Sequence, residues 1–405
     1  MESTGSAVSD RRKSKPETLL ATLGRTSTHD SGFVNPPLVR GSTVLHPNVE
    51  ELGQRARRRA AGDDAMPVSY GRYGTPTHHE FCDALTALEG GHRSWALPSG
   101  QTACAIAIQA YVRPGDHVLV PDSVYAPVRR FCSHTLARYG IGTTFYPPRI
   151  GENIESMFRA DTRVLFVESP GSLTFEVQDL PMLARVAHRH GAVCVADNTW
   201  ATPLYQQPLA LGADVTVHAA TKYIGGHSDL LLGTVTANET AWPALRDAIH
   251  QYGLIASPDD CWLALRGLRS LAARLARHRA NAERLIGWLR GQPEVDRVLY
   301  PALPEDPGYA LWQRDFHGAS GLFGVVLAAA VPERAMQAMI DGLQLFGRGY
   351  SWGGFESLLI PVRPERTAEP LPISAPMFRI SAGLEDPDDL IADLSAGFER
   401  LRERI

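Results

Sequence analysis

From Pro76 onward the chain alternates short apolar runs with longer stretches in which apolar residues recur at helical spacing. The segment "PTHHEFCDALTALEGG" puts Phe81, Leu85 and Leu88 on one helical face, with Pro76 suited to the first turn and Gly90 to the end. A second helix is predicted at "SGQTACAIAIQAYV", then strands at "HVLVPD" and "RVLFVESPG", a helix at "DLPMLARVAHRHG", and strands at "AVCVAD" and "ADVTVHAA". This alternation predicts parallel strands in a doubly wound α/β sheet. The next run, "LLLGTVTA", follows after a link too short for a helical crossover and is expected to pair antiparallel.

Beyond it, "SPDDCWLALRGLRSLAARLARHRANAERLIGWLRG" reads as one long helix whose arginines form a solvated face, a natural connector between domains. Strands are expected at "GLFGVVLA", "SWGGFESLLIP" and "MFRISAG", with a last helix at "DPDDLIADLSAGFERLRERI". The organisation expected is an arm over residues 1–70, a large, mostly parallel doubly wound domain over 71–268, and a smaller C-terminal α+β domain over 269–405. Such a division suits 405 residues, too many for one small core.

Charge and cysteine usage narrow the partners. Lys+Arg 40 against Asp+Glu 44 gives a formal charge of -4, no global field for nucleic acid or an anionic membrane. The basic run "GQRARRRAAGDD" is broken by alanines and acids and lacks interleaved aromatics, so it reads as a solvated helix. Five cysteines, never in a C-x-x-C pair, suggest neither a disulfide framework nor a zinc knuckle and fit a reducing cytoplasm. The start, "MESTGSAVSDRRKSKP", has no apolar core behind its basic residues and reads as a disordered arm, not a secretory signal. No apolar run approaches the ~20 residues needed to cross a bilayer.

In open parallel sheets, ligands bind beyond the carboxyl ends of the strands. Three candidate groups occupy such ends. Ser99-Gly100-Gln101 opens a helix, where free backbone N–H groups suit a phosphate or, equally, an ordinary N-cap serine. Asp197 ends "AVCVAD" and is either a turn carboxylate or the partner of a protonated ring nitrogen. Lys222, in "VHAATKYIGGHSDLLLG", is either an exposed loop lysine or a buried amine that forms a Schiff base with an aldehyde cofactor. Taken together, the three describe pyridoxal 5′-phosphate (PLP): phosphate, pyridine nitrogen and aldehyde each find a partner. His218 and His227 flank the lysine at a spacing that fits no metal pair, so no metal is expected.

The motifs "DNTWATPL", "HAATKYIGGHSDLLLG", "YGRYGTPTH", "ESPGSLTFEV" and "YSWGGFESL" resemble the Cys/Met-metabolism family of PLP-dependent enzymes, of fold type I, from about residue 20 to the end. The resemblance implies Lys222 as the Schiff-base lysine and Asp197 as the partner of the pyridine nitrogen. It implies Gly100 and Gln101 as backbone donors to the phosphate, Thr221 as a hydroxyl donor, and Tyr125 as the tyrosine stacked on the ring. Tyr70 and Arg72 would reach a neighbouring subunit's site, Arg72 onto the phosphate, within a homotetramer. Arg379 would bind the substrate α-carboxylate, with Ser351 and Trp352 lining the substrate pocket. Lys222, Tyr125 and Tyr70 would serve catalysis, Tyr125 as a tyrosinate that assists the displacement of Lys222.

Two positions differ from γ-acting members: Ala219 stands where those generally carry a serine, and Ser172 replaces an asparagine in "ESPGSL". With Trp352, both resemble the β-cleaving branch. The implied activity is therefore a carbon–sulfur lyase acting on a small amino-acid thioether, L-cystathionine, to give homocysteine, pyruvate and ammonia by β-elimination. γ-Cleavage, γ-synthesis, a broader action on cysteine conjugates, and a non-catalytic binding protein of the same fold are the alternatives.

Overall fold

In the computed structural model, residues 14–25, 32–63, 68–371 and 373–405 are described. Strands β1 (Arg93–Leu97), β2 (His117–Pro121), β3 (Gly142–Tyr146), β4 (Thr162–Glu168), β5 (Val193–Asp197), β6 (Val215–Ala219) and β7 (Gly233–Ala237) form a seven-stranded sheet in the order β1-β7-β6-β5-β4-β2-β3. Pairs from β6 across to β3 are parallel, and β7 runs antiparallel to both β6 and β1, as its short link to β6 predicts. Alternate residues supply opposite cores. Val118, Val120 and Phe166 pack with the helix Gly100–Gln109 on one face, while Leu119, Leu165 and Cys194 pack with the helix Leu180–Arg189 on the other.

A second sheet, wholly antiparallel, joins β8 (Val295–Leu299), β9 (Leu322–Leu327), β10 (Leu358–Pro361) and β11 (Met377–Ser381) in the order β10-β11-β9-β8. The helix Pro258–Leu289, capped by the Ser257 hydroxyl at Asp259 N–H, serves both halves. Its Leu265, Leu268 and Leu271 pack with the helix Pro76–Glu89, and its Ala282, Leu285 and Leu289 enter the core of the second sheet. The expected boundary at residues 268–269 therefore falls inside one continuous helix.

Some local expectations are corrected. Within the long helix Arg274 is buried, not part of a solvated face. "SWGGFESLLIP" is a strand only over Leu358–Pro361, because Ser351 and Gly353 take φ of 79° and 82°, values no extended strand accommodates. β1, β3 and β8 escaped the sequence reading because polar residues interrupt their apolar runs. The basic run does form an exposed helix, Val49–Ala60, with no buried residue. Of the stretch 1–16 read as a disordered arm, residues 1–13 lie outside the described residues, and Pro16 opens a helix, Pro16–Thr22.

Packing at the strand ends is close. A Cβ on Gly100 would stand 2.5 Å from the Ala219 Cβ, so the helix start rests directly on the carboxyl end of β6. Glycine at position 100 allows that approach.

Candidate active site

The carboxyl ends of β2, β4, β5 and β6 open into a cleft of about 630 Å³, closed on the far side by β10, β11 and the segment around Ser351. Lys222 follows β6 after a tight turn, in which its N–H donates to Ala219 O and its carbonyl accepts from Gly226 N–H at 2.7 Å. Its Nζ donates to Ser351 Oγ at 2.6 Å and lies 5.5 Å from the centre of the Trp352 ring. Burial, reinforced by Arg379 and opposed by Asp197, lowers Lys222 to about 8. The amine therefore releases its proton near neutral pH, which a nucleophile and proton carrier requires.

Asp197 ends β5 with one carboxylate oxygen held twice by Thr199, from N–H at 2.9 Å and from Oγ1 at 2.6 Å. The other oxygen faces the Cys104 thiol at 3.6 Å. Glu168 is the register partner of Asp197 on β4, and its Oε2 accepts the Tyr125 N–H at 2.7 Å. Burial and then Asp197 push Glu168 well above the usual carboxylate range. Burial also raises the Cys104 thiol, with Asp197 and Glu168 adding to it. Glu168 and Cys104 are thus held toward their neutral forms beside Asp197, whose carboxylate suits a protonated ring nitrogen.

Tyr125 stands over this group, half exposed. Its phenol is raised above the ordinary value, first by burial and then by Cys104, Glu168 and Asp197, with Arg379 opposing. These surroundings favour the neutral phenol in the chain by itself.

At the other end of the cleft, Ser99 caps the helix through Thr102 N–H at 3.1 Å, and the N–H groups of Gly100 and Gln101 precede the first intrahelical bonds. Thr221 borders this end, but its hydroxyl already donates to Leu232 O at 3.2 Å and accepts from Leu232 N–H at 2.9 Å. It staples the lysine turn to the chain leading into β7. Aldehyde, ring nitrogen and phosphate of PLP would thus each find a matching group in this cleft.

Arg379, on β11 opposite Ile360, is buried and donates through Nη2 to Ser351 O at 2.9 Å, while its Nε has no partner among the described residues. A buried guanidinium that lines a cleft with its hydrogen-bonding capacity not fully used suits a carboxylate. Half-buried Trp352 packs edge-on against Tyr223 at 5.3 Å. Ser172 lines the cleft and is fixed by its N–H to Ser123 O at 2.8 Å.

Tyr70 and Arg72 are not brought into this chain's cleft. Arg72 is exposed and donates to His250 O and to the Tyr73 hydroxyl, both at 3.1 Å. Among the described residues no three His, Cys, Asp or Glu side chains are grouped so as to hold a metal ion. Two positioning residues were missed from sequence. Thr199 orients Asp197, and Arg274 holds the turn after Lys222 by donating to Tyr223 O at 2.7 Å and to Gly267 O at 2.8 Å. For Thr199 the signal was present in "DNTW"; for Arg274 it was one arginine among many.

The Cys/Met metabolism PLP-dependent enzyme family matches residues 17–399. An Escherichia coli relative named cystathionine beta-lyase is 39% identical over 96% of this chain and 99% of its own. A Bordetella avium protein of the same name is 40% identical over 97% and 100%. A Wolbachia pipientis relative, 38% identical over 96% and 98%, is named L-alanine/L-glutamate racemase. The crystal structure of cystathionine gamma-lyase from Lactobacillus plantarum superposes with a TM-score of 0.87 at 27% identity, over 96% of this chain and 100% of that one. With the lysine, aspartate and helix start meeting in one cleft and the match running through nearly every residue, the chain belongs to the Cys/Met metabolism family of PLP-dependent enzymes.

Proposed function

We propose that the chain is a carbon–sulfur lyase that cleaves L-cystathionine by β-elimination to homocysteine, pyruvate and ammonia. The observation that carries the reading is that Lys222, Asp197 and Arg379 line one cleft, with the lysine amine lowered to about 8. The β-lyase names of relatives 39% and 40% identical favour β- over γ-cleavage.

When bound, PLP supplies the electron sink for the electrons of the substrate's Cα–H bond. Lys222 would hold the cofactor through its Nζ and, once released by the substrate amine, would take the α-proton at that atom. Asp197, fixed by Thr199, keeps the ring nitrogen protonated, where negative charge develops. Tyr125 stacks on the ring and holds its plane. Gly100, Gln101 and Thr221 hold the phosphate, Thr221 by re-aiming its hydroxyl away from Leu232. Arg379 takes the α-carboxylate, and Ser351 and Trp352 close the substrate side. Lys222 or a tyrosine delivers the proton to the leaving sulfur.

Tyr70 and Arg72 serve the site of a second copy in a homotetramer. Exposed apolar side chains on the segment before them, Phe33, Leu45 and Val49, support a covered surface there. A cytoplasmic location is supported by five free, buried cysteines. No helix among the described residues is long and apolar enough to cross a membrane.

Incubation of the holoenzyme with L-cystathionine tests the reaction. Pyruvate is expected; 2-oxobutyrate would overturn β-cleavage, and no keto acid from L-cystathionine together with D-alanine formed in a parallel incubation with L-alanine would overturn the lyase.

A further inference from the structure

Almost every charged side chain lining the cleft has a partner within the chain. Arg129 is tied to Asp122, Arg366 to Glu176 at 2.7 Å, and Arg363 to Glu333. Lys222, Asp197, Glu168 and Arg379 have the partners given above. Glu365 alone of the charged residues lining the cleft has no hydrogen bond or ion pair among the described residues.

Its backbone is nevertheless fixed on both sides. Val362 N–H donates to Met377 O at 2.9 Å, and Pro364 restricts the preceding backbone. Arg366 also reaches Thr174 Oγ1 at 2.5 Å. Thr367 and Ala368 each donate a backbone N–H to Asp122 Oδ2 at 2.8 Å. Burial opposes the ionisation of Asp122, but Arg129 and these N–H groups hold it below the usual range, so the anchor is a stable anion. A carboxylate on so pinned a segment orders little new chain when it takes a ligand. The segment starts beside the carboxylate receptor: Ile360 pairs with Arg379, and Glu365 lies five residues on, at most about 18 Å away along the chain.

Cleft charge defines what Glu365 fits. With Arg379 assigned to the α-carboxylate and Asp197 to the ring nitrogen, the exposed Glu365 carboxylate is left at the mouth without a partner among the described residues. We propose that Glu365 is a specificity-determining residue that receives the ammonium group at the far end of a dipolar thioether. The proposal rests on the β-cleavage reading for its substrate class, and selects L-cystathionine over cysteine conjugates with apolar tails.

The test compares L-cystathionine with S-ethyl-L-cysteine on wild-type and Glu365→Gln holoenzyme. Dissociation constants come from the absorbance change of the bound cofactor, and KM and kcat from pyruvate release. The expected result is an approximately threefold to tenfold weakening for L-cystathionine in Kd and KM, with kcat within about twofold and S-ethyl-L-cysteine unaffected. Glu365→Asp should recover part of the loss. Equal weakening of both ligands, or none for L-cystathionine, overturns the proposal. Wild-type enzyme that binds L-cystathionine but releases no pyruvate overturns β-cleavage instead, and the two dissociation constants still decide Glu365. No binding of L-cystathionine overturns both.

Discussion

The Nζ of Lys222 donates a 2.6 Å hydrogen bond to the Oγ of Ser351, a residue held at a φ of 79°. The same serine accepts from Arg379 through its carbonyl, so one strained residue links the amine to the carboxylate receptor. Left-handed backbone costs a non-glycine residue about 1 kcal/mol. Replacing Ser351 with Ala keeps that cost and removes the partner of a buried amine. We expect kcat to fall about tenfold to a hundredfold, the range of a hydrogen bond to a charged group. Ser351→Gly should lose as much activity yet melt higher than Ser351→Ala, because glycine accepts the backbone without strain. Equal melting temperatures would remove the strain argument.

Lys222 titrates at about 8 in the folded chain against an ordinary 10.5. Between those values the unfolded chain still holds a proton that the folded chain has released, so stability rises with pH across the window. The cost of burying the charged amine is carried in full below about pH 8 and disappears toward 10.5. Cofactor-free wild type should therefore gain on a Lys222→Met variant in melting temperature between those limits. A constant difference from pH 7 to 10.5 would contradict it. Uptake of PLP by the cofactor-free protein should quicken through a midpoint near pH 8, because only the neutral amine attacks an aldehyde.

Thr199 holds one oxygen of Asp197 twice and accepts Ala219 N–H at 2.9 Å, so its hydroxyl ties the ends of β5 and β6 together. Thr199→Val leaves the Ala219 N–H without its acceptor and loosens the carboxylate. PLP should bind the variant about tenfold more weakly. Thr199→Ser retains the hydroxyl and should bind as wild type does. Quenching of tryptophan fluorescence reads both, since Trp200 lines the cleft. Equal affinities for the Val and Ser variants would show that the hydroxyl does not matter.

Much of this arrangement was legible in the sequence because strand ends concentrate function. Asp197 and Lys222 lie at the ends of apolar runs whose length and β-branched content mark buried strands, and Gly100 opens a helix whose own apolar content is plain in the sequence. Residues acting through space left weaker marks. Arg274 is far from Lys222 in sequence, and its burial depends on the carbonyls of Tyr223 and Gly267 converging on one guanidinium. Glu168 was quoted inside "ESPGSL", yet its neighbour across the sheet, Asp197, is fixed only by strand order. β1, β3 and β8 lacked the continuous apolar run on which strand prediction relies.

Phosphate binding raises the question of where its countercharge comes from. Gly100 and Gln101 offer N–H groups and Thr221 a hydroxyl, while the arginine nearest in sequence among the cleft residues, Arg129, is neutralised by buried Asp122. A dianion held by neutral donors alone is poorly compensated, and Arg72, exposed and outside its own cleft, is the cation proposed to complete a second copy's site. Arg72→Ala should then weaken PLP binding, and Lys222→Ala should abolish turnover. After subunit exchange, a mixed oligomer places both lesions in one site and leaves another with an intact lysine from one copy and an intact arginine from the other. Activity should reappear on mixing the two variants. If each site were completed within its own chain, every subunit would carry one lesion and the mixture would be no more active than its parts.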